Sequence, residues 1–230
     1  MSRIALIAPP FIEVPPSRYG GTELFIGNLA SELDAHGHDV TVYGNGASRL
    51  PCTVKWRYRD AEWPLDDAVR SQLKNVDHTA WAMHDAARWA DVVHLNDIVG
   101  APFTRFVDAP TVLTIHHPHE AALSEQYMRY PGIHYVTIAE WLSRCEPMSN
   151  VDTIHHGIPL SDYTFAIEKD DYVAFLGRIA PCKGPHLAIE AARLAGVKLK
   201  LAGEIQPVFR DYWEQQVKPL VDGEQIVYVG

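Results

Sequence analysis

The stretch RIALIAPPFIEVPPSRYGGTELFIGNLASELDAHGHDVTVY, residues 3–43, decides the fold. Arg3–Ala8 is a continuous apolar run; a loop rich in Pro and Gly follows to Gly21; Thr22–His36 then carries Leu24, Phe25, Leu29, Ala30 and Leu33 at helical spacing. His38–Tyr43 reads as a second strand. Thr22 is expected to cap the helix and Gly37 to end it. A first strand that is apolar on both faces suits a parallel sheet covered by helices, reached through a right-handed crossover.

The alternation runs on through the chain. Ala68–Ala90 reads as helix, Asp91–Leu95, Thr111–Ile115, His134–Ile138 and Val151–His155 as strands, and Ala139–Cys145 as a further helix. Parallel strands separated by helices predict a doubly wound α/β sheet. Ser161–Asp171 has neither period and ends in Glu168-Lys169-Asp170-Asp171, so it is the expected linker between a lobe over residues 1–165 and a second over 166–230. The second lobe starts as the first does, with strand Tyr172–Leu176, a glycine-containing loop Gly177–Gly184 and helix Pro185–Ala195. Strand Val197–Ala202, helix Phe209–Val217 and strand Gln225–Val229 complete it.

Composition narrows the function. With 20 Lys+Arg against 29 Asp+Glu the net charge is −9, which argues against a nucleic-acid partner, since such binding depends on clustered cations. Cys52, Cys145 and Cys182 are widely spaced with no Cys-x-x-Cys pair, so a reducing cytoplasm is expected, with neither a disulfide framework nor a zinc ribbon. No apolar run approaches the roughly 18 residues of a membrane span. Peripheral membrane association stays open, because an interfacial helix is amphipathic rather than long and apolar.

Two loops carry anion-binding features. Gly20-Gly21-Thr22-Glu23 opens a helix, where free N–H groups and the helix dipole favour a phosphate; a simple turn is the rival reading. Arg178 and Lys183 stand five residues apart on the Gly177–Gly184 loop, again before a helix, where cations oppose the dipole unless an anion lies between them. Arg supplies a fork of donors and Lys a point charge, a pair suited to a diphosphate. His116 ends the strand Thr111–Ile115, on the side where open α/β sheets place ligands. His116-His117-Pro118-His119 also reads as a metal cluster, but adjacent imidazoles on a strand face opposite ways. Asn96, Asp97 and Glu140 are candidates for an acceptor or sugar pocket, with capping and turn roles as rivals. Trp56, Tyr58 and Trp63, and likewise Tyr127, Met128 and Tyr130, either stack on a sugar or cover the core, and for the first three the core is preferred. His155 and His156 are expected to be structural.

The run Ala174–Ala192, with Phe175-Leu176-Gly177-Arg178, Lys183-Gly184 and Ile189-Glu190-Ala191, resembles the F-x-G-R-x-x-x-x-K-G-x-x-x-x-I-x-A signature of retaining glycosyltransferases of family 4, which have the GT-B fold. Ala202-Gly203-Glu204, Tyr19-Gly20-Gly21-Thr22-Glu23 and Val151–Leu160 are similar to further segments of that family in the right order. The resemblance implies two Rossmann-like lobes, the second incomplete, and transfer of a sugar from a nucleotide-diphosphate donor to a hydroxyl acceptor. It also implies that Arg178, Lys183 and Gly177 hold the donor diphosphate, that Gly20 and Gly21 add backbone N–H groups, that His116 contacts the donor sugar near the reacting carbon, and that no metal or other cofactor is needed. His117 stands where the family often has Asp, and His155-His156 where it has a variable residue followed by Asn. The family's two glutamates separated by seven residues find no counterpart here. A fragment of a longer enzyme, inactive alone, is therefore expected, ahead of a short product completed by a second chain. A nucleotide-sugar isomerase or epimerase of the same fold and a non-catalytic sugar or nucleotide-diphosphate binding module are the rival functions.

Overall fold

The computed structural model describes residues 1–65 and 67–230 and divides into two compact units, Met1–Asp162 and Tyr163–Gly230. The first unit is built on a seven-stranded sheet. In chain order its strands are β1 (Arg3–Ile7), β2 (Asp39–Gly44), β3 (Thr53–Trp56), β4 (Val92–Leu95), β5 (Thr111–Ile115), β6 (Ile133–Thr137) and β7 (Val151–Thr153). They lie in the order β3-β2-β1-β4-β5-β6-β7, every neighbouring pair parallel. The direction of strand addition reverses between β1 and β4, so the crevice at their carboxyl ends is the expected ligand position.

Helices α1 (Gly21–Ala35), α2 (Ala68–Ala86), α3 (Ala121–Tyr127) and α4 (Glu140–Cys145) connect these strands. Alternation along the strands feeds two cores. Leu6, Ala8, Val40 and Val42 pack with Ile26 and Ala30 of α1. Ala5, Ile7, Val93, Leu95, Leu113 and Ile115 pack with Ala82, Met83 and Ala86 of α2. Fully buried, such an aliphatic side chain contributes about 1.5–3 kcal/mol, which is why the apolar strands survive without alternating polarity.

The second unit has three parallel strands, β8 (Val173–Leu176), β9 (Leu199–Ala202) and β10 (Ile226–Tyr228), in the order β10-β9-β8. Helix α5 (Pro185–Ala195) is bounded by Gly184 at φ 71° and Gly196 at φ 66°, left-handed positions that glycine adopts without a Cβ clash, and Pro185 fills the first helical position. Residues 207–220 form an irregular helical stretch whose Tyr212, Trp213 and Val217 join Ile179, Ile189, Ala192, Leu199, Leu201 and Ile226 in this unit's core.

Several expectations are corrected. Gly20, not Thr22, caps α1, and no side chain makes the capping bond. Helix α2 stops at Ala86 rather than Ala90. Strand β3 and helix α3 were not predicted. Trp56 and Trp63 are exposed and lie outside the core, Trp63 stacking on Tyr19 at 5.3 Å. Tyr58 is half-buried, its hydroxyl donating to Asp77 at 2.7 Å. Tyr127, by contrast, is buried in the core, with Tyr130 packed against it.

Candidate functional site

In the first unit the carboxyl ends of β1, β4 and β5 place three polar groups side by side. Asn96 is the residue after β4, and His116 the residue after β5. The Asn96 Nδ2 donates to the Ile7 carbonyl at the end of β1 (3.1 Å), and its Oδ1 lies 3.0 Å from His116 Nε2. The oxygen can only accept, so Nε2 carries the ring proton and Nδ1 is the acceptor. Nδ1 is buried and has no hydrogen-bond partner among the described residues. Burial, reinforced by His156, His94 and His117, lowers the His116 pKa to about 3, so the ring is neutral at physiological pH.

Phe25, on the first turns of α1, is the packing centre of this corner. Its ring stacks on His156 at 4.4 Å and meets His116 edge-on at 5.0 Å and His94 at 6.3 Å. Burial lowers His94 to about 4, and its Nε2 lies 2.8 Å from the Thr114 hydroxyl. His117 turns elsewhere, its Nε2 2.6 Å from the Tyr127 hydroxyl. His119 pairs with the buried Glu146 at 3.0 Å. The three imidazoles of the His116–His119 run thus diverge, and among the described residues no three His, Cys, Asp or Glu side chains converge on a metal-sized site.

The glycine loop delivers α1 to the same sheet edge. Gly20 has φ 152°, and a Cβ there would come within 2.9 Å of both Glu23 Oε2 and Pro16 Cβ. Leu24 N–H makes the first helical bond to Gly20 O, so the N–H groups of Gly21 and Thr22 lie ahead of the hydrogen-bonded turns. Gly21 is exposed, with open space where its side chain would be. Glu23 is buried and folds back toward its own N–H; burial raises its pKa.

Two further pocket candidates lie in the first unit. Asp97 accepts from Val99 N–H and from Asn75 Nδ2, both at 2.9 Å, and so caps the turn that follows β4. Glu140 is exposed in the first turn of α4.

In the second unit the β8–α5 loop carries both cations. Arg178 Nη1 donates to Gln206 Oε1 at 3.2 Å and lies over the Phe209 ring, while the Gln206 amide reaches Glu204 at 3.3 Å. Lys183 is exposed in the turn Pro181–Lys183 immediately before α5 and, among the described residues, makes no ion pair. Gly177 donates its N–H to Ala202 O, so its contribution is shape rather than a free donor. The loops after β8 and β9 touch backbone to backbone: a Cβ on Gly203, at φ 155°, would sit 1.8 Å from Gly177 O. Gln206 and His94 had no signal in the sequence beyond their residue type, and Phe25 only its place in a helical period, because their roles depend on neighbours brought in by the fold.

Comparison with curated proteins returns no match. Solved structures are similar over the whole chain. AviGT4, a glycosyltransferase involved in avilamycin A biosynthesis, shares 21% identity at a TM-score of 0.68, covering 100% of this chain and 63% of that one. HepE of Anabaena, solved in complex with UDP and glucose, shares 17% at 0.69, covering 100% and 69%. Sucrose-phosphate synthase from Thermosynechococcus elongatus shares 17% at 0.70, covering 100% and 70%. The chain thus spans about two thirds of the length of these proteins, and the likeness shows a common fold, the GT-B architecture with its parallel α/β sheet. The sequence description of glycosyltransferase family 4 matches residues 19–162, more than half of the chain and nearly all of the first unit. The chain therefore belongs to glycosyltransferase family 4.

Proposed function

We propose that the protein transfers a sugar from a nucleotide-diphosphate donor to a hydroxyl acceptor with retention of anomeric configuration. The observation that carries this reading is the placement of Arg178 and Lys183 on one short loop ahead of α5, with Arg178 oriented by Gln206 and Lys183 exposed. Two cations before a helix N terminus leave a deficit of negative charge that a diphosphate fills. As the glycosidic bond breaks, negative charge builds on the leaving diphosphate, and these cations bind that state more tightly than the ground state.

His116 suits the other half of the charge separation. A neutral imidazole does not oppose the positive charge that develops at the anomeric carbon. With a pKa near 3 it is no proton donor at neutral pH. The proton of the acceptor hydroxyl passes instead to the departing diphosphate, on the face from which the acceptor enters. Gly20 and Gly21 line the glycine loop that offers backbone N–H groups to a phosphate.

Calorimetric titration with UDP, ADP and GDP tests the phosphate site. A charged hydrogen bond is worth about 1.5–3 kcal/mol, so Arg178→Ala and Lys183→Ala are each expected to weaken binding by roughly 10- to 100-fold. Unaltered affinity in both variants would sink the assignment. Incubation of the full-length enzyme with the matching nucleotide sugars and a hydroxyl acceptor, followed by NMR of the product's anomeric proton, then tests retention.

A further inference from the structure

A cavity of about 440 Å³ opens on the first unit beside the N-terminal half of α2. Phe11 enters it from the loop after β1, Val99 from the turn after β4, and Leu65, Ala68 and Val76 from α2 and the residues leading into it. Strands β1 and β4 are the adjacent pair at which the order of the sheet reverses, so the cavity stands where open α/β sheets take their ligands. Its volume and its apolar lining are those of a small-molecule site.

The lining is neutral. Among the described residues no charged side chain belongs to it, although α2 carries Arg70, Lys74 and Asp77. Those charges are drawn onto the adjoining face of the helix. Arg70 Nη2 and Lys74 Nζ both donate to Glu62, at 2.6 and 2.7 Å, and Asp77 accepts from Arg57 and, at 2.7 Å, from the Tyr58 hydroxyl. Two of the polar side chains that do line the cavity are already engaged: the Ser71 hydroxyl donates to the Asp67 carbonyl at 2.6 Å, and Asn75 Nδ2 to Asp97 at 2.9 Å. Gln72 is exposed, and among the described residues its amide makes no hydrogen bond, so it supplies one polar contact for a ligand. A sugar seated here would set several hydroxyls against methyl groups and a phenyl ring, and a phosphate would meet no cation. Both lose hydration without replacement, whereas an apolar framework with one hydroxyl loses little.

We propose that this cavity binds the body of the acceptor, and that the acceptor hydroxyl is therefore carried on a neutral alkyl or aryl framework rather than on a free or phosphorylated sugar. The name acceptor rests on the transfer reaction proposed above; the cavity's preference for neutral apolar alcohols does not.

Binding is read without turnover in the whole chain by NMR of methyl-labelled Leu and Val, titrated with phenylethanol and with its longer homologue phenylbutanol. Both should shift Leu65, Val76 and Val99 saturably and leave the buried Leu199, Leu201 and Val217 of the second unit unmoved. A buried methylene is worth about fourfold in affinity, so phenylbutanol should bind roughly 4- to 16-fold tighter than phenylethanol. Glucose and glucose-6-phosphate should shift none of these residues at the same concentrations. Val76→Asp, at a helix position 43% exposed, sets a carboxylate in the lining and should weaken phenylbutanol at least about tenfold. Absence of saturable shifts at the three lining residues, equal affinity for the two alcohols, equal binding of glucose-6-phosphate, or unchanged affinity in the variant would each overturn the proposal. The donor reading fails separately. Nucleoside diphosphate binding without alcohol binding refutes the cavity and leaves the transferase standing; alcohol binding without nucleoside diphosphate binding upholds the cavity's preference and refutes its role as an acceptor site.

Discussion

Lowering the pH from 7.5 to 5 should destabilise the first unit well before its carboxylates are protonated. His78, on α2, is 0% exposed, its Nε2 lies 3.1 Å from the Ala8 carbonyl, and burial lowers its pKa to about 4. The native state thus holds this ring neutral, while the unfolded chain takes up a proton near pH 6.5. Because the folded pKa lies below the unfolded one, the stability is fully present above pH 6.5 and is lost as pH falls toward 4. Each pH unit in that interval costs about 1.4 kcal/mol, so His78 alone removes about 2 kcal/mol by pH 5. His94 and His116 act with the same sign. They add to the His78 loss, which is by itself a sizeable share of a typical 5–15 kcal/mol. Urea titrations at pH 7.5, 6 and 5, with hydrogen exchange followed by mass spectrometry over Met1–Asp162, measure this loss. The His78→Gln variant keeps a donor for Ala8 and should show a shallower pH dependence, whatever its stability at pH 7.5. Constant stability of the first unit from pH 7.5 to 5, or an identical slope in the variant, would refute the reasoning.

Two substitutions probe the glycine loop and the loop contact in the second unit. Gly203→Ala forces a Cβ to within 1.8 Å of Gly177 O at a φ of 155°; thermal unfolding of the second unit should show a loss of about 2–4 kcal/mol, and an unshifted transition would mean that the two loops do not need their close approach. Glu23→Gln removes a buried carboxylate whose pKa is raised by desolvation; folding favours its protonated form, so the variant should be more stable than the wild type at pH 7 and lose that advantage as pH falls below the unfolded value, a trend that urea titration at pH 7 and pH 4 resolves.

The parts of the fold that the sequence disclosed are those whose physics is local. Helix α5 is legible to the residue because Pro185 and the two left-handed glycines, Gly184 and Gly196, punctuate it. Strands β1 and β5 announce themselves as apolar runs between breakers. Strand β3 does not, because Thr53-Val54-Lys55-Trp56 lies at the sheet edge with no buried residue and so needs no apolar pattern. Helix α3 is seven residues long with no side-chain cap, too short for a period to register. The Thr22 cap fails for a related reason: Gly20 takes a conformation at φ 152° that moves the helix start ahead of Thr22, and a hydroxyl one residue inside the helix is no longer at the cap.

The candidate site divides along the same line. His116 was legible because a polar residue straight after a parallel strand faces the ligand edge of the sheet, and Arg178 and Lys183 because two cations before a helix contradict the dipole unless an anion answers them. Neither argument reaches the partners that give these groups their chemistry. Asn96 is 20 residues from His116 in sequence, and Gln206 is 28 from Arg178. What brings each pair together is strand adjacency: β4 beside β5 in the first unit, β8 beside β9 in the second. In both units a residue past the end of one strand is bonded by a side chain past the end of its neighbour, and in both that side chain is a neutral amide. An amide fixes direction without adding charge. It leaves Arg178 its full charge and His116 a neutral ring, the two properties that the proposed reaction calls on. A carboxylate at either position would orient its partner equally well and cancel the electrostatic difference on which the proposed reaction depends.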